Sequence, residues 1–127
     1  MKAVATLPTV DDVDFRAYVG PSDRGLAVSL NGNADLNVKS ELDRFIAAVH
    51  DEALRRHVEE VNVGVRDLEF MNSSCLKSLV WWISSVQDQP PERQYRIVFL
   101  SNPDLYWQRR SLNALACLAS DLVSVQT

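Results

Sequence analysis

Few side chains in this sequence are spaced to do chemistry together. His50 and His57 have no second histidine at i+3 or i+4 and no neighbouring cysteine, so neither a histidine-built metal site nor a catalytic triad is expected. Cys75 and Cys117 are too few for a disulfide framework and lack ligand spacing, and they read as reduced, partly buried packing thiols. The four glycines, at 20, 25, 32 and 64, are too scattered to form a phosphate loop. No Gly-x-Ser-x-Gly elbow is present. The carboxylate pairs Asp11-Asp12 and Glu59-Glu60 read as solvated charge. No enzyme activity, cofactor or metal is expected.

One segment stands out: Leu68-Glu-Phe-Met-Asn-Ser-Ser-Cys-Leu76. Its two serines fall where a strand gives way to a helix. Unpaired backbone N–H groups and the positive end of the helix dipole converge there, so an anion is favoured. Two readings stay open from the residues alone. Asn72 or Ser73 caps the helix. Alternatively a serine is a phosphoacceptor, because a helix terminus tolerates the charge of about −1.5 to −2 that a phosphate adds.

The elements that hold this segment follow from periodicity. The first eight to ten residues read as a loose lead-in. Val13 to Val19 alternates as a half-buried strand, Gly20 to Gly25 is a turn cluster, and Leu26 to Leu30 is a second strand, which gives a hairpin with a longer loop. Asn31 to Asn37 reads as a polar turn ending in an Asn37 cap. A helix is expected from Val38 to about Arg56, with Leu42, Phe45, Ile46 and Val49 along one face. Val61, Val63 and Val65 alternate as a third strand, with Leu68 and Phe70 continuing toward a core. Asn72 opens a second helix that runs to about Gln87, followed by a loop to Gln94 around Pro90-Pro91. Tyr95 to Leu100 reads as an interior strand. Asn102-Pro103-Asp104 starts a third helix ending near Ala119, and Leu122 to Val125 is a final strand.

Helical-wheel angles assign faces. Leu76, Leu79, Val80, Ile83 and Val86 form the core side of the second helix. Trp81 points opposite, in line with Ser74, Ser78 and Ser85, and Trp82 lies on the flank. In the third helix Leu105, Leu112, Leu115 and Ala116 face the core, while Trp107, Arg110, Ala114 and Leu118 face away. Exposed tryptophan and arginine are residue types that interfaces favour.

Composition sets the outer limits. With 127 residues and 46% hydrophobic content, the chain supports one domain with one core. A net charge of −4 argues against nucleic acid as a partner. No apolar run approaches the roughly 20 residues a membrane span needs, and the start of the chain has no signal-peptide pattern. A cytoplasmic location is therefore expected. The alternation of strands and helices is that of an α/β sandwich with helical crossovers.

Two short motifs within this order carry a resemblance. Phe70-Met-Asn-Ser-Ser-Cys-Leu76, after an alternating valine strand, resembles the Asp-Ser-Ser-Gly-Leu segment of STAS domains, named for sulfate transporters and anti-sigma factor antagonists. Leu30-Asn-Gly-Asn-Ala-Asp35 is similar to the family's Gly-x-x-Asp turn, at Gly32 and Asp35. Asn72 stands where the family has aspartate, and Cys75 where it has glycine. The element order fits a single STAS-like domain from about Val13 to Val125.

The resemblance implies a mixed, mainly parallel sheet of about four or five strands against three or four helices, with an N-terminal β-hairpin. It also implies a bacterial regulator that binds an anti-sigma factor or serine kinase-like protein. That kinase phosphorylates Ser73, with Ser74 the alternate, and a cognate phosphatase reverses the step. The expected partner surface comprises Gly32, Asn33, Asp35, Asn72, Ser74, Lys77, Trp81, Trp107 and Arg110. A second reading keeps the fold without the switch: a scaffold or oligomer subunit using its tryptophan faces. The chain is expected to be a monomer or weak homodimer.

Overall fold

Apolar side chains that recur every second residue give the strands of this chain one face to bury. The structure is a computed structural model that describes residues 9–127. The expected lead-in falls outside the described residues except at its end, where Thr9–Asp11 forms strand β1. The remaining strands are β2 (Phe15–Ser22), β3 (Gly25–Ala34), β4 (Glu60–Gly64), β5 (Leu68–Met71), β6 (Arg96–Leu100) and β7 (Val123–Gln126). Helices α1 (Lys39–Arg56), α2 (Ser73–Gln87) and α3 (Tyr106–Leu118) alternate with them.

The seven strands form one sheet in the order β1-β2-β3-β4-β6-β7, with β5 paired to the far end of β3. The pairs β1–β2 and β2–β3 are antiparallel, and the others are parallel. β1 and β5 are the strands beyond those expected. Register lines up the core: Leu26, Val61, Ile97 and Val123 form one row across the sheet, and Val28, Val63, Phe99 and Val125 the next. Helix residues Leu42, Phe45, Ile46, Leu79, Ile83, Leu112 and Leu115 close over these rows in a single core. The opposite face carries Ala27, Ser29, Asn62 and Gly64.

The hairpin is tighter than expected. Ser22 pairs with Gly25, so the turn is only Asp23-Arg24, and Gly20-Pro21-Ser22 belongs to β2. Proline's fixed φ is compatible with extended backbone, so it punctuates less than its presence suggests. Asn31 to Ala34, expected as a turn, instead prolongs β3. The Gly32 N–H donates to the Asp67 carbonyl at 2.8 Å and the Asn33 N–H to the Asp14 carbonyl at 2.7 Å. Partners distant in sequence make this polar stretch a strand.

Asp35, rather than Asn37, caps the turn that leads into α1. Its Oδ1 accepts from the Asn37 N–H at 2.9 Å and starts a 3-10 turn, Leu36–Val38, that runs into the helix. Leu42, Phe45, Ile46 and Val49 are buried as expected.

α2 departs more. Cys75, Ser78, Leu79, Trp82, Ile83 and Val86 are its buried residues, while Leu76 and Val80 are half-buried. Trp82 is therefore core rather than flank, and Ser78 is buried rather than aligned with exposed residues. The reason is position: α2 packs against α1 on one side and α3 on the other, which widens and rotates its buried arc. Phe70 is 47% exposed and does not continue into the core.

α3 begins at Tyr106. Asn102 Oδ1 accepts from the Asp104 N–H at 2.9 Å in a turn ahead of the helix, rather than at its first residue. Gln108, Leu112 and Leu115 form the buried stripe, leaving Leu105 and Ala116 half-buried. Trp107 does not face away, since it packs partly against the core. Cys117 is exposed and Cys75 fully buried; both are free thiols. Among the described residues no helix is long and apolar enough to cross a membrane, and no group of His, Cys, Asp and Glu is placed to hold a metal ion.

Candidate functional site

Pairing of β5 with β3 brings two turns of the chain side by side. Asn33 pairs with Phe70 and Ala34 with Met71, and the Asn72 N–H donates to the Ala34 carbonyl at 2.8 Å. The Asp35 turn therefore lies against the start of α2. Two helices, α1 and α2, begin at this end of the sheet. The Cys75 thiol donates to the Asp35 carbonyl at 3.4 Å, tying the turns together, and burial pushes its pKa up. Cys75 points inward, away from the serines. Gly32 is required here: its φ is +95°, and a Cβ would lie 2.1 Å from the Asp14 carbonyl oxygen.

The capping question is resolved by geometry. Asn72 Oδ1 accepts from the Ser74 N–H at 2.6 Å, so Asn72 is the cap of α2. Ser73 is then the first helical residue and is exposed, whereas Ser74 is half-buried. Neither hydroxyl has a hydrogen-bond partner among the described residues. Gly32, Asn33, Asp35, Asn72, Ser73 and Ser74 are thus brought together as expected, with exposed Lys77 one helical turn beyond Ser73.

A groove of about 340 Å³ continues from Lys77 between α1 and α2, lined also by Ile46, Ala47 and Trp81. Its floor is polar. Lys39 Nζ donates to the Asp43 carboxylate at 2.8 and 2.9 Å and to Ser78 Oγ at 3.1 Å, and the Ser78 hydroxyl also donates to Asp43. Partial burial pushes the Asp43 pKa up, but the hydrogen bonds from Lys39 and Ser78 and the lysine charge outweigh it and hold the carboxyl below its usual range. Ser78 is therefore occupied and buried.

Trp81 is 48% exposed, and its ring meets His50 edge-on with centroids 6.1 Å apart. Beneath it, the Trp82 Nε1–H donates to the Tyr95 hydroxyl at 2.6 Å, and that hydroxyl lies 2.7 Å from His50 Nδ1. Since the tyrosine oxygen already accepts from Trp82, its O–H is free to donate to an unprotonated His50 Nδ1.

Trp107 and Arg110 are not part of this cluster. They border a separate depression with Tyr106 and Arg109. All parallel strands end at the same edge, so α3 begins at the same end of the sheet as α2, but on the side of α2 opposite α1.

Sequence reasoning missed the Lys39–Asp43–Ser78 network, the Trp82–Tyr95–His50 chain, and the contributions of Tyr106 and Arg109. The i,i+4 spacing of Lys39 and Asp43 is a readable signal for their ion pair. Nothing local points to Ser78 or Tyr95 as partners of residues on α1.

No protein-family model and no curated protein sequence matches the chain. Among solved structures, it is similar to the crystal structure of an anti-sigma factor antagonist from Mycobacterium paratuberculosis, with 18% sequence identity, a TM-score of 0.62, and 86% of each chain covered. The fold is STAS-like. At this identity the likeness concerns architecture: the mixed sheet, the N-terminal hairpin and the three helices of this STAS-like domain. The expected α/β sandwich is present, larger by the two short strands β1 and β5.

Proposed function

We propose that this STAS-like chain is a regulator of the anti-sigma factor antagonist type, which binds a protein partner through the end of the sheet that carries Ser73. Ser73 is the phosphoacceptor in this reading. The observation that carries it is the exposed, unengaged Ser73 hydroxyl at the first position of α2, beside the Asp35 turn. Asn72 performs the capping, so Ser73 is dispensable for holding the helix. A phosphate there would meet the positive end of the α2 dipole, with Lys77 one turn away. The partner is an anti-sigma factor with serine kinase activity, and a phosphatase resets the switch. Arrival of the phosphate changes affinity through charge and through the desolvation it demands.

Phosphopeptide mapping after incubation with ATP and a serine kinase of the anti-sigma factor type tests this. Modification is expected at Ser73. Ser73→Asp should change partner affinity by at least tenfold, about 1.4 kcal/mol, and leave the fold intact. Modification confined to Ser74, or none at all, would overturn the switch. Half-exposed Trp81 on the adjoining groove favours a second reading, in which the same end of the molecule binds its partner constitutively.

A further inference from the structure

We propose that the start of α3 is a docking site for an acidic segment of a partner protein, separate from the surface around Ser73 and independent of the switch. Tyr106 is 85% exposed, the most exposed large aromatic ring among the described residues. Arg109 and Arg110 are both exposed, and neither has a carboxylate within ion-pairing distance among the described residues. Trp107 beside them is half-buried against the core, with its indole N–H shielded from water and without an acceptor among the described residues. These four side chains line a depression of about 550 Å³ that contains no acidic residue.

Charge complementarity selects the occupant. The chain as a whole carries −4. Arg44, Arg66, Lys77, Arg93 and Arg96 also lack an ion-pair partner among the described residues, but Arg109 and Arg110 are adjacent, both exposed, and line one depression with two aromatic rings and no acid. The start of α3 reverses that sign locally. Guanidinium groups bind carboxylates through paired, parallel hydrogen bonds, and the rings beside them offer a flat apolar surface for intervening aliphatic side chains. A second copy of the chain fits poorly. A two-fold contact centred here would set Arg109 and Arg110 against their own copies, and four side chains fall well short of the roughly 1,200 Å² a stable association buries. A short acidic segment suits both the charge and the size.

The test uses the full chain and a fluorescein-labelled peptide made of repeated Glu-Asp-Leu-Glu units, followed by fluorescence anisotropy and by the indole N–H signals in NMR spectra. Binding should shift the Trp107 signal and leave that of buried Trp82 in place. Arg109→Glu combined with Arg110→Glu should weaken binding by at least about tenfold, as should raising salt from about 50 to about 500 mM. Tyr106→Ala should weaken it without removing the salt dependence, and a peptide with lysine in place of each acid should not bind. Absence of binding, indifference to the arginine changes, or shifts centred on Trp81 would overturn the proposal. So would loss of a homodimer in the arginine variant by sedimentation, or binding of anionic phosphatidylserine vesicles in preference to the peptide. Ser73→Asp should leave this binding unchanged, so failure of the phosphorylation reading and failure of this one are told apart.

Discussion

Trp81 and Trp82 are neighbours in sequence with opposite environments, and the difference is measurable. Trp82 is 1% exposed, packed in the core with its N–H satisfied by Tyr95, so Trp82→Ala should cost about 3–5 kcal/mol in urea unfolding. Trp81 touches His50 edge-on and is otherwise half in solvent, so Trp81→Ala should cost about 1 kcal/mol or less. Equal losses in the two variants would refute the assignment of Trp81 to a working surface.

His50 adds a pH dependence. Burial holds its pKa below the ordinary 6.5, against a smaller opposing pull from the Asp51 charge. The folded state therefore binds the proton less readily than the unfolded chain. Its contribution to stability is complete above about pH 6.5 and is lost as pH falls through the folded-state value. Urea midpoints should decline across that window in the parent. In His50→Gln, which keeps an acceptor for Tyr95 and cannot titrate, the decline should be smaller.

Among the elements, α3 is anchored by a polar residue in an apolar stripe. Gln108 is fully buried, and its Nε2 donates to the Val65 carbonyl at 2.6 Å and the Leu68 carbonyl at 3.0 Å. Its Oε1 accepts from the Asn102 N–H at 2.8 Å. One side chain thus joins the end of β4, the start of β5 and the turn before α3. Gln108→Leu preserves bulk but strands these groups, each at a cost of about 1–3 kcal/mol when buried. A stability loss of at least about 2 kcal/mol is expected from thermal or urea melts, and a neutral effect would show that water reaches these groups. Wheel angles placed Leu112 and Leu115 correctly but left Gln108 out, because hydropathy ranks a glutamine with the surface. The same limit explains Ser78 on α2: only the packing of α1 supplies the Asp43 carboxylate that makes its burial tolerable.

At the scale of the whole molecule, one core spans the sheet and all three helices, so unfolding should be cooperative. Both cysteines are free, one buried and one exposed, and no disulfide supports the fold. The urea midpoint should be the same with and without a thiol reductant. A higher midpoint in its absence would reveal a bridge, and Cys117, the exposed thiol, would be the residue to examine for pairing between molecules.

The sequence by itself determined the three helices and five of the seven strands, the alternation of Val61 and Val63, the core face of α1, and the position of Asn72-Ser73-Ser74 at a helix start, because these depend on periodicity and capping within a few residues. Tertiary structure decided what those signals leave open. Asn31 to Ala34 is a strand because β5 and the Asp14 segment supply its hydrogen bonds, and Asp35 reaches Ser73's neighbourhood through the β3–β5 pair. Trp82 is core and Trp81 surface because α2 is covered from two sides. Local patterns record which residues can share a face, whereas the choice among such faces belongs to the neighbours that bury them and to the partners their polar groups find there.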